Sequence, residues 1–202
     1  MILMKSKKQV IQAKQYDKNV PIEFFRIENN QDIFDSNNHY QFDFYQIYWF
    51  TDVSNKYHQI DFVTYAIESD QIWIIYPGQV HHFDSTDISG YYLVIDKDYF
   101  HRVLFKEAKQ KAFTGNSHLK FIVTTEMQQL FEHLNQLIEI EFHSFKRASV
   151  LEKYIQLYIL HLQDLPVEKL NHVNIDTRIH TLLELIEQYY ITHRKNEFYA
   201  EK

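Results

Sequence analysis

The sequence predicts an α+β protein in which a small antiparallel β-barrel is followed by a helical segment. Short runs rich in Ile, Val, Phe, Tyr and Trp lie between residues 42 and 95, and turn-prone residues separate them. Strands that follow one another so closely indicate a barrel or a sandwich. Beyond Asp96 the apolar residues recur at the spacing of a helix, so a helical part is expected after the strands.

Four runs have the length and composition of a strand, and each is bounded by residues that favour a turn. The four runs are Phe42–Phe50, His58–Ile67, Gln71–Tyr76 and Gly90–Ile95. A fifth strand is expected after Pro77-Gly78, because this pair forms a tight turn and because apolar residues alternate with histidine beyond it.

A short helix is predicted at Asp98–Phe105, and two longer amphipathic helices follow it. The first begins near Thr125, which resembles a capping box with Gln128, and the second covers Phe145–Gln163 before Pro166. Their apolar stripes leave two interpretations open, packing against the barrel or a subunit interface. The predicted divisions are a barrel at 1–110, a two-helix segment at 111–165, a linker at 166–177 and a last helix at 178–202, with Asp176 before it as the N-cap.

The composition narrows the class of function. The formal net charge is −6, so the chain itself is not expected to hold a phosphate backbone, which needs a basic face. It contains no cysteine, which excludes disulfides and thiolate metal sites. No run approaches the length of a transmembrane helix and no secretory signal is evident, so no membrane association and a cytoplasmic location are expected.

The histidines are the residues to test for metal chemistry. His81 and His82 are neighbours on a predicted strand, so at most one of them points inward. The alternation places His39 on the opposite face of its strand from Tyr40 and Phe42. We therefore expect no metal site, and we expect no catalytic group because no serine lies in a Gly-flanked elbow. An inward His81 has two interpretations, a hydrogen bond to a bound polar ligand or to a hydroxyl of the core.

Four segments in this order resemble the cupin-type N-terminal domain of AraC-family transcription regulators. They are D-F-Y-Q-I (Asp43–Ile47), H-x-I-D-F (His58–Phe62), I-x-P-G-Q-V-H (Ile75–His81) and the stretch Ile88–Phe100. The resemblance covers roughly residues 20–195. Arg178–Lys202 resembles the opening of that family's helix-turn-helix domain, so we expect the chain to end about 25 residues into it, before any recognition helix.

The resemblance implies a cupin-like barrel of jelly-roll type that senses a small-molecule effector. The positions that carry metal ligands in metal-binding cupins fall here at Tyr40, Phe42, Gln46 and His81, so only His81 is a ligand type and no cofactor is expected. The same mapping predicts that the ligand-binding pocket is lined by Tyr40, Phe42, Gln46, Tyr48 and His81.

The resemblance also implies a homodimer formed by the helices, with DNA bound only through a C-terminal domain that the chain lacks. The alternative is a stand-alone cupin enzyme, a metal-dependent isomerase or dioxygenase, but the chain is expected not to be an enzyme. The candidate interface residues on the two long helices are Leu130, Leu134, Leu137, Leu151, Tyr154 and Tyr158.

Overall fold

The computed structural model describes residues 22–29, 39–61, 63–101 and 119–169, together with residue 198. The chain divides into two compact units, Met1–Leu170 and Asn171–Lys202, and every strand and helix named below belongs to the first. The predictions for the helix at 178–202 and its N-cap Asp176 lie outside the described residues.

The described strands form two antiparallel sheets. In chain order they are β1 (Ile22–Arg26), β2 (Tyr40–Gln41), β3 (Phe44–Asp52), β4 (Lys56–Ile60), β5 (Val63–Ile67), β6 (Gln71–Ile75), β7 (Val80–Phe83), β8 (Ser89–Asp96), β9 (Leu119–Ile122) and β10 (Val167–Lys169). The large sheet has the order β1-β8-β3-β6-β9-β10, and the small sheet has the order β2-β7-β4-β5. Among the described residues no strand pairing joins the two sheets into one closed barrel.

Two long helices follow the strands. They are α2 (Thr125–Ile140) and α3 (Ala148–Leu162), joined through a π-helical turn at Glu141–Phe145, and a short α1 (Lys97–Tyr99) precedes them. None of the described helices is long and apolar enough to cross a membrane.

Alternation along β3 separates two apolar cores. Tyr48 and Phe50 pack in a core between the large and small sheets, whereas Ile47 and Trp49 pack in a second core against α2 and α3. Side chains of a strand alternate between its two faces, so a strand buried on both faces contributes to both cores. The unit therefore has three layers: the small sheet, the large sheet and the helices.

The predicted α+β class, with antiparallel strands followed by helices, is confirmed. The predicted strand His58–Ile67 is wrong in one respect, because it is a hairpin of β4 and β5. Asp61 adopts a left-handed φ of 47° there and turns the chain back. The predicted linker at 166–177 begins with β10, which pairs with β9 and belongs to the large sheet.

The helix boundaries also differ from their predictions. Thr124 rather than Thr125 is the N-cap of α2, and it makes no side-chain capping hydrogen bond, so the capping box is absent. The second helix begins at Ala148 and not at Phe145, because Lys146 takes a left-handed φ of 55° and ends the π-helical turn. At the predicted helix 98–105, Asp96 accepts a hydrogen bond from the Tyr99 amide at 2.9 Å and caps α1; residues 102–105 lie outside the described residues.

Gly90 of β8 lies close against the backbone of β3. A Cβ atom at this position would overlap the carbonyl oxygen of Trp49 on β3, so the sheet admits no side chain there. We expect Gly90→Ala to lower the free energy of unfolding by about 2–3 kcal/mol through overpacking. Urea denaturation measures this, with Ser89→Ala as the control; equal stability of the two variants would contradict the contact.

Candidate ligand site between the two sheets

Several polar side chains are buried in the core between the sheets, and five of them form the candidate site. Gln46 and Tyr48 come from β3, Tyr92 from β8, His58 from β4 and His81 from β7, and all are at most 3% exposed. Side chains alternate between the two faces of a strand, and each of these residues lies at a position that faces the interior, whereas its sequence neighbours face away from it. The large sheet and the small sheet thus both contribute polar groups to the same interior, which is lined by aromatic side chains.

Gln46 is held by two tyrosines and keeps one amide atom unpaired. The hydroxyl of Tyr48 donates to Oε1 of Gln46 at 2.8 Å, and the hydroxyl of Tyr92 donates to the same oxygen at 2.9 Å. Nε2 of Gln46 is buried and has no hydrogen-bond partner. Because Oε1 already accepts from both tyrosines, the amide is fixed with its nitrogen offered as a donor.

Gln71 shows that this arrangement is specific to Gln46. It is also a buried glutamine of the large sheet, yet its Oε1 accepts from Nε1 of Trp73 at 3.0 Å and its Nε2 donates to Glu68 at 2.9 Å. Buried polar atoms are nearly always paired in this way. The unpaired nitrogen of Gln46 is therefore one of a few exceptions among the described residues, with Nε2 of His81 in the same core and Nε1 of Trp49 in the core under the helices.

His58 and His81 form a hydrogen-bonded pair across β4 and β7. Nε2 of His58 lies 3.2 Å from Nδ1 of His81, and Nε2 of His81 is buried without a partner. Burial, with smaller contributions from His82 and His39, lowers the pKa of His81 to about 3. A neutral imidazole has one donor and one acceptor nitrogen, so the free Nε2 takes whichever role His58 leaves to it.

Aromatic rings enclose the polar groups. Tyr48 stacks on Tyr92 with ring centroids 4.6 Å apart, and its ring lies 6.0 Å from that of His81. The rings of Tyr40 and Phe42 lie 6.4 and 5.9 Å from His81 and are 7% and 8% exposed. These two residues cover the interior at β2, a strand of only two residues at the edge of the small sheet.

The structure brings the five predicted pocket residues, Tyr40, Phe42, Gln46, Tyr48 and His81, to one interior. Whether they contact a ligand stays a prediction. Sequence reasoning missed two members, His58 and Tyr92. The alternation of β4 and β8 could have found them, since His58 alternates with Gln59 as Tyr92 alternates with Tyr91.

The three histidines considered for a metal do not converge. His81 points into the interior, whereas His39 and His82 stack on each other at 5.0 Å, and Nε2 of His39 lies 2.7 Å from Oε1 of the half-buried Gln59. Among the described residues no group of three or more His, Cys, Asp or Glu side chains could hold a metal ion.

The candidate interface residues on the helices divide into two groups. Leu134, Leu151 and Tyr158 are at most 5% exposed and pack in the core against the large sheet, so they are not available to a partner. Whether the two helices form an interface stays a prediction. Leu130 and Tyr154 are partly buried against the same core, and Leu137 is 42% exposed.

No protein-family model and no curated protein gives a significant match to the chain. Solved structures similar to it include ToxT from Vibrio cholerae, with 12% identity over 87% of this chain and 67% of that one, and a TM-score of 0.38. ToxT from Vibrio cholerae O395 has 16% identity over 89% and 67% of the two chains, with a TM-score of 0.37. ToxT bound to (E)-4-(8-methylnaphthalen-1-yl)but-3-enoic acid has 11% identity over 89% and 69%, with a TM-score of 0.37.

The buried His81 makes stability depend on pH. Its pKa is lowered to about 3 in the folded chain, below the usual 6.5, so its contribution is present above pH 6.5 and is lost as the pH falls towards 3. Between pH 7.5 and 5.5 this residue alone should lower the free energy of unfolding by about 1.4 kcal/mol.

Urea denaturation of the wild type and of His81→Gln at both pH values measures this effect. The advantage of the wild type over the variant should shrink by that amount at the lower pH. The exposed Gln129→Leu, which changes no titratable group, serves as the control and should keep the slope of the wild type. A wild-type advantage that does not change with pH would show that His81 is protonated at its ordinary pKa.

Proposed function

We propose that this chain is the ligand-sensing and dimerisation portion of an AraC-type transcription regulator, acting in the cytoplasm and not as an enzyme. Sequence-specific DNA binding would reside in a C-terminal helix-turn-helix domain beyond these residues. The observation that carries the proposal is the pair of unpaired, fully buried nitrogens, Nε2 of Gln46 and Nε2 of His81, inside an aromatic interior.

An unpaired buried polar atom is costly to keep. Leaving a donor or acceptor without a partner in a protein interior costs about 1–3 kcal/mol. Two such atoms, Nε2 of Gln46 and Nε2 of His81, lie on opposite sheets that face one interior. A bound molecule that supplies hydrogen bonds to both recovers this free energy, so the site favours a ligand over closed packing.

The two nitrogens restrict the chemistry of that ligand. Gln46 offers a donor, so the ligand needs an acceptor oxygen such as a carbonyl, an ether or a hydroxyl. His81 is held neutral by burial and forms either a donor or an acceptor bond. The surrounding rings of Tyr40, Phe42 and Tyr48 suit an apolar or planar body. We therefore favour a small, largely apolar molecule with one or two neutral polar groups.

Strand β2 is the proposed route of access. It pairs only through Tyr40 with His81 and Gln41 with Val80, and the following Phe42 accepts a hydrogen bond from the amide of Gly78 at 2.8 Å. A strand so short at a sheet edge opens at a low free-energy cost, because few backbone hydrogen bonds are lost. Its movement would uncover the interior beside His81.

The large sheet connects this site to the helices. On β8, Tyr92 faces the site while its neighbour Tyr91 faces α2, and Tyr91 stacks on Trp49 at 5.4 Å. Arg26 of β1 lies 4.7 Å above the Tyr91 ring and forms a bidentate ion pair with Glu139 of α2. A ligand with different affinities for two arrangements of β8 would thereby shift the helices as well.

The outer faces of the helices are the proposed dimer surface. Large apolar side chains remain exposed there although the inner faces are packed, and large exposed apolar side chains are a feature of interaction sites. They replace the buried Leu134, Leu151 and Tyr158 as interface candidates. The exposed residues are Leu137, Ile140, Phe145, Leu157 and Leu160.

The ligand site is tested by thermal unfolding with a panel of aromatic amides, ketones and phenols. A ligand at 100 times its dissociation constant should stabilise the wild type by about 2.7 kcal/mol. Gln46→Leu should lose this stabilisation, because it removes the donor, while the exposed Gln129→Leu should retain it. A ligand that stabilises wild type and Gln46→Leu equally binds elsewhere and would refute the site.

The dimer surface is tested by light scattering during size exclusion. The chain should elute as a dimer, and Leu137→Glu combined with Leu160→Glu should shift it towards monomer by placing charges in an apolar contact. Val167→Glu alters a residue of similar exposure on β10 and should leave the dimer intact. A monomeric wild type at about 100 μM would contradict a stable dimer.

A further inference from the structure

The outer face of the small sheet contains an open cavity of about 380 Å³. This volume lies within the range of about 300–1,000 Å³ that is typical of small-molecule sites. The cavity is on the opposite side of β4 and β7 from the interior site, and its lining combines polar and apolar surface. It is lined by Asn55, Lys56, Tyr57, Gln59, Thr64, His82 and Asp84.

A row of polar side chains crosses the strands at this cavity. Gln59 of β4 is in register with Thr64 of β5 on one side and with His82 of β7 on the other. His39 stacks on His82 at 5.0 Å and its Nε2 lies 2.7 Å from Oε1 of Gln59. The amide of Gln59 is therefore held in place, and its nitrogen is the donor offered to the cavity.

Tyr57 supplies an aromatic wall. It precedes Gln59 by two residues on β4, so both side chains project from the same face. Its ring is 61% exposed, and Ala66, the residue opposite it on β5, is too small to cover it. An exposed ring beside a row of fixed hydrogen-bonding groups combines the two kinds of contact that an amphipathic ligand needs.

The ionised groups of the cavity neutralise each other. Nζ of Lys56 donates to Asp84 at 3.1 Å and to the hydroxyl of Thr86 at 2.9 Å. Hydrogen bonds from Thr86, together with Lys56, lower the pKa of Asp84 to about 2, so the carboxylate stays charged and paired. The cavity thus presents no uncompensated charge to attract an ionic ligand, which favours a neutral one.

We propose that this cavity binds a neutral pyranose sugar, with the C–H face of the sugar on the ring of Tyr57 and its hydroxyls paired with Gln59 and Thr64. A pyranose carries apolar C–H groups on a face and hydroxyls around its rim, and each hydroxyl both donates and accepts. The site is independent of the interior ligand site and adds a second binding function to the chain.

Saturation-transfer NMR on the full 202-residue chain tests this site. The probes are methyl glucopyranoside, galactopyranoside and mannopyranoside at about 10 mM, which suits millimolar dissociation constants. At least one should receive saturation, and Tyr57→Ala and Gln59→Leu should each weaken its binding about tenfold. Tyr57→Phe keeps the ring and should retain most of the affinity.

Two control variants make the result specific. Gln129→Leu makes the same change as Gln59→Leu at an exposed position of α2, and Val167→Ala alters an exposed residue of β10; neither should change sugar binding. Near-identical circular dichroism spectra would establish that the variants are folded. The proposal is overturned if none of the three glycosides receives saturation, or if Tyr57→Ala binds as well as the wild type.

Discussion

Strand β3 is buried on both faces, and the rest of the described structure depends on that constraint. It pairs with β6 on one side and β8 on the other, at the centre of the large sheet. Trp49 lies under α2 beside Phe131, while Gln46 and Tyr48 face the small sheet. A slip of one residue would exchange these faces and place the amide of Gln46 in the apolar core under the helices, so the register is strongly determined.

The core between the sheets includes two unpaired nitrogens, Nε2 of Gln46 and Nε2 of His81, that apolar residues at these positions would have avoided. In the same sheet Gln71 accepts a hydrogen bond from Trp73 and donates one to Glu68, which shows that the fold can pair a buried glutamine fully. Gln46 instead engages two tyrosine hydroxyls through one oxygen and leaves its nitrogen unpaired. Stacking of Tyr48 on Tyr92 fixes those hydroxyls, so aromatic packing holds the cluster in a geometry that hydrogen bonding alone would not retain.

The sequence predicted the class of fold and the inward positions, because alternation is a local property of the chain. It could not predict β9 and β10, since these short strands pair across a long separation in sequence and their place in the sheet depends on tertiary contacts. An apolar stripe likewise does not distinguish a core from an interface. Leu134 is buried and Leu137 is exposed although they are three residues apart on α2, because the sheet covers only part of the stripe.

The break at Asp61 was missed from the sequence, yet it determines which histidine enters the interior. Its amide donates to the carbonyl of Val80 at 2.7 Å, and its carboxylate accepts from the amide of Val80 at 3.0 Å and from Gln79 at 3.0 Å. These bonds fix β7 against β4 one residue before His81, so His81 turns inward and His82 turns outward. One turn residue thus directs His81 into the interior between the sheets and His82 towards the cavity on the outer face of the small sheet. A shift of the register at this turn would change the surroundings of both histidines together.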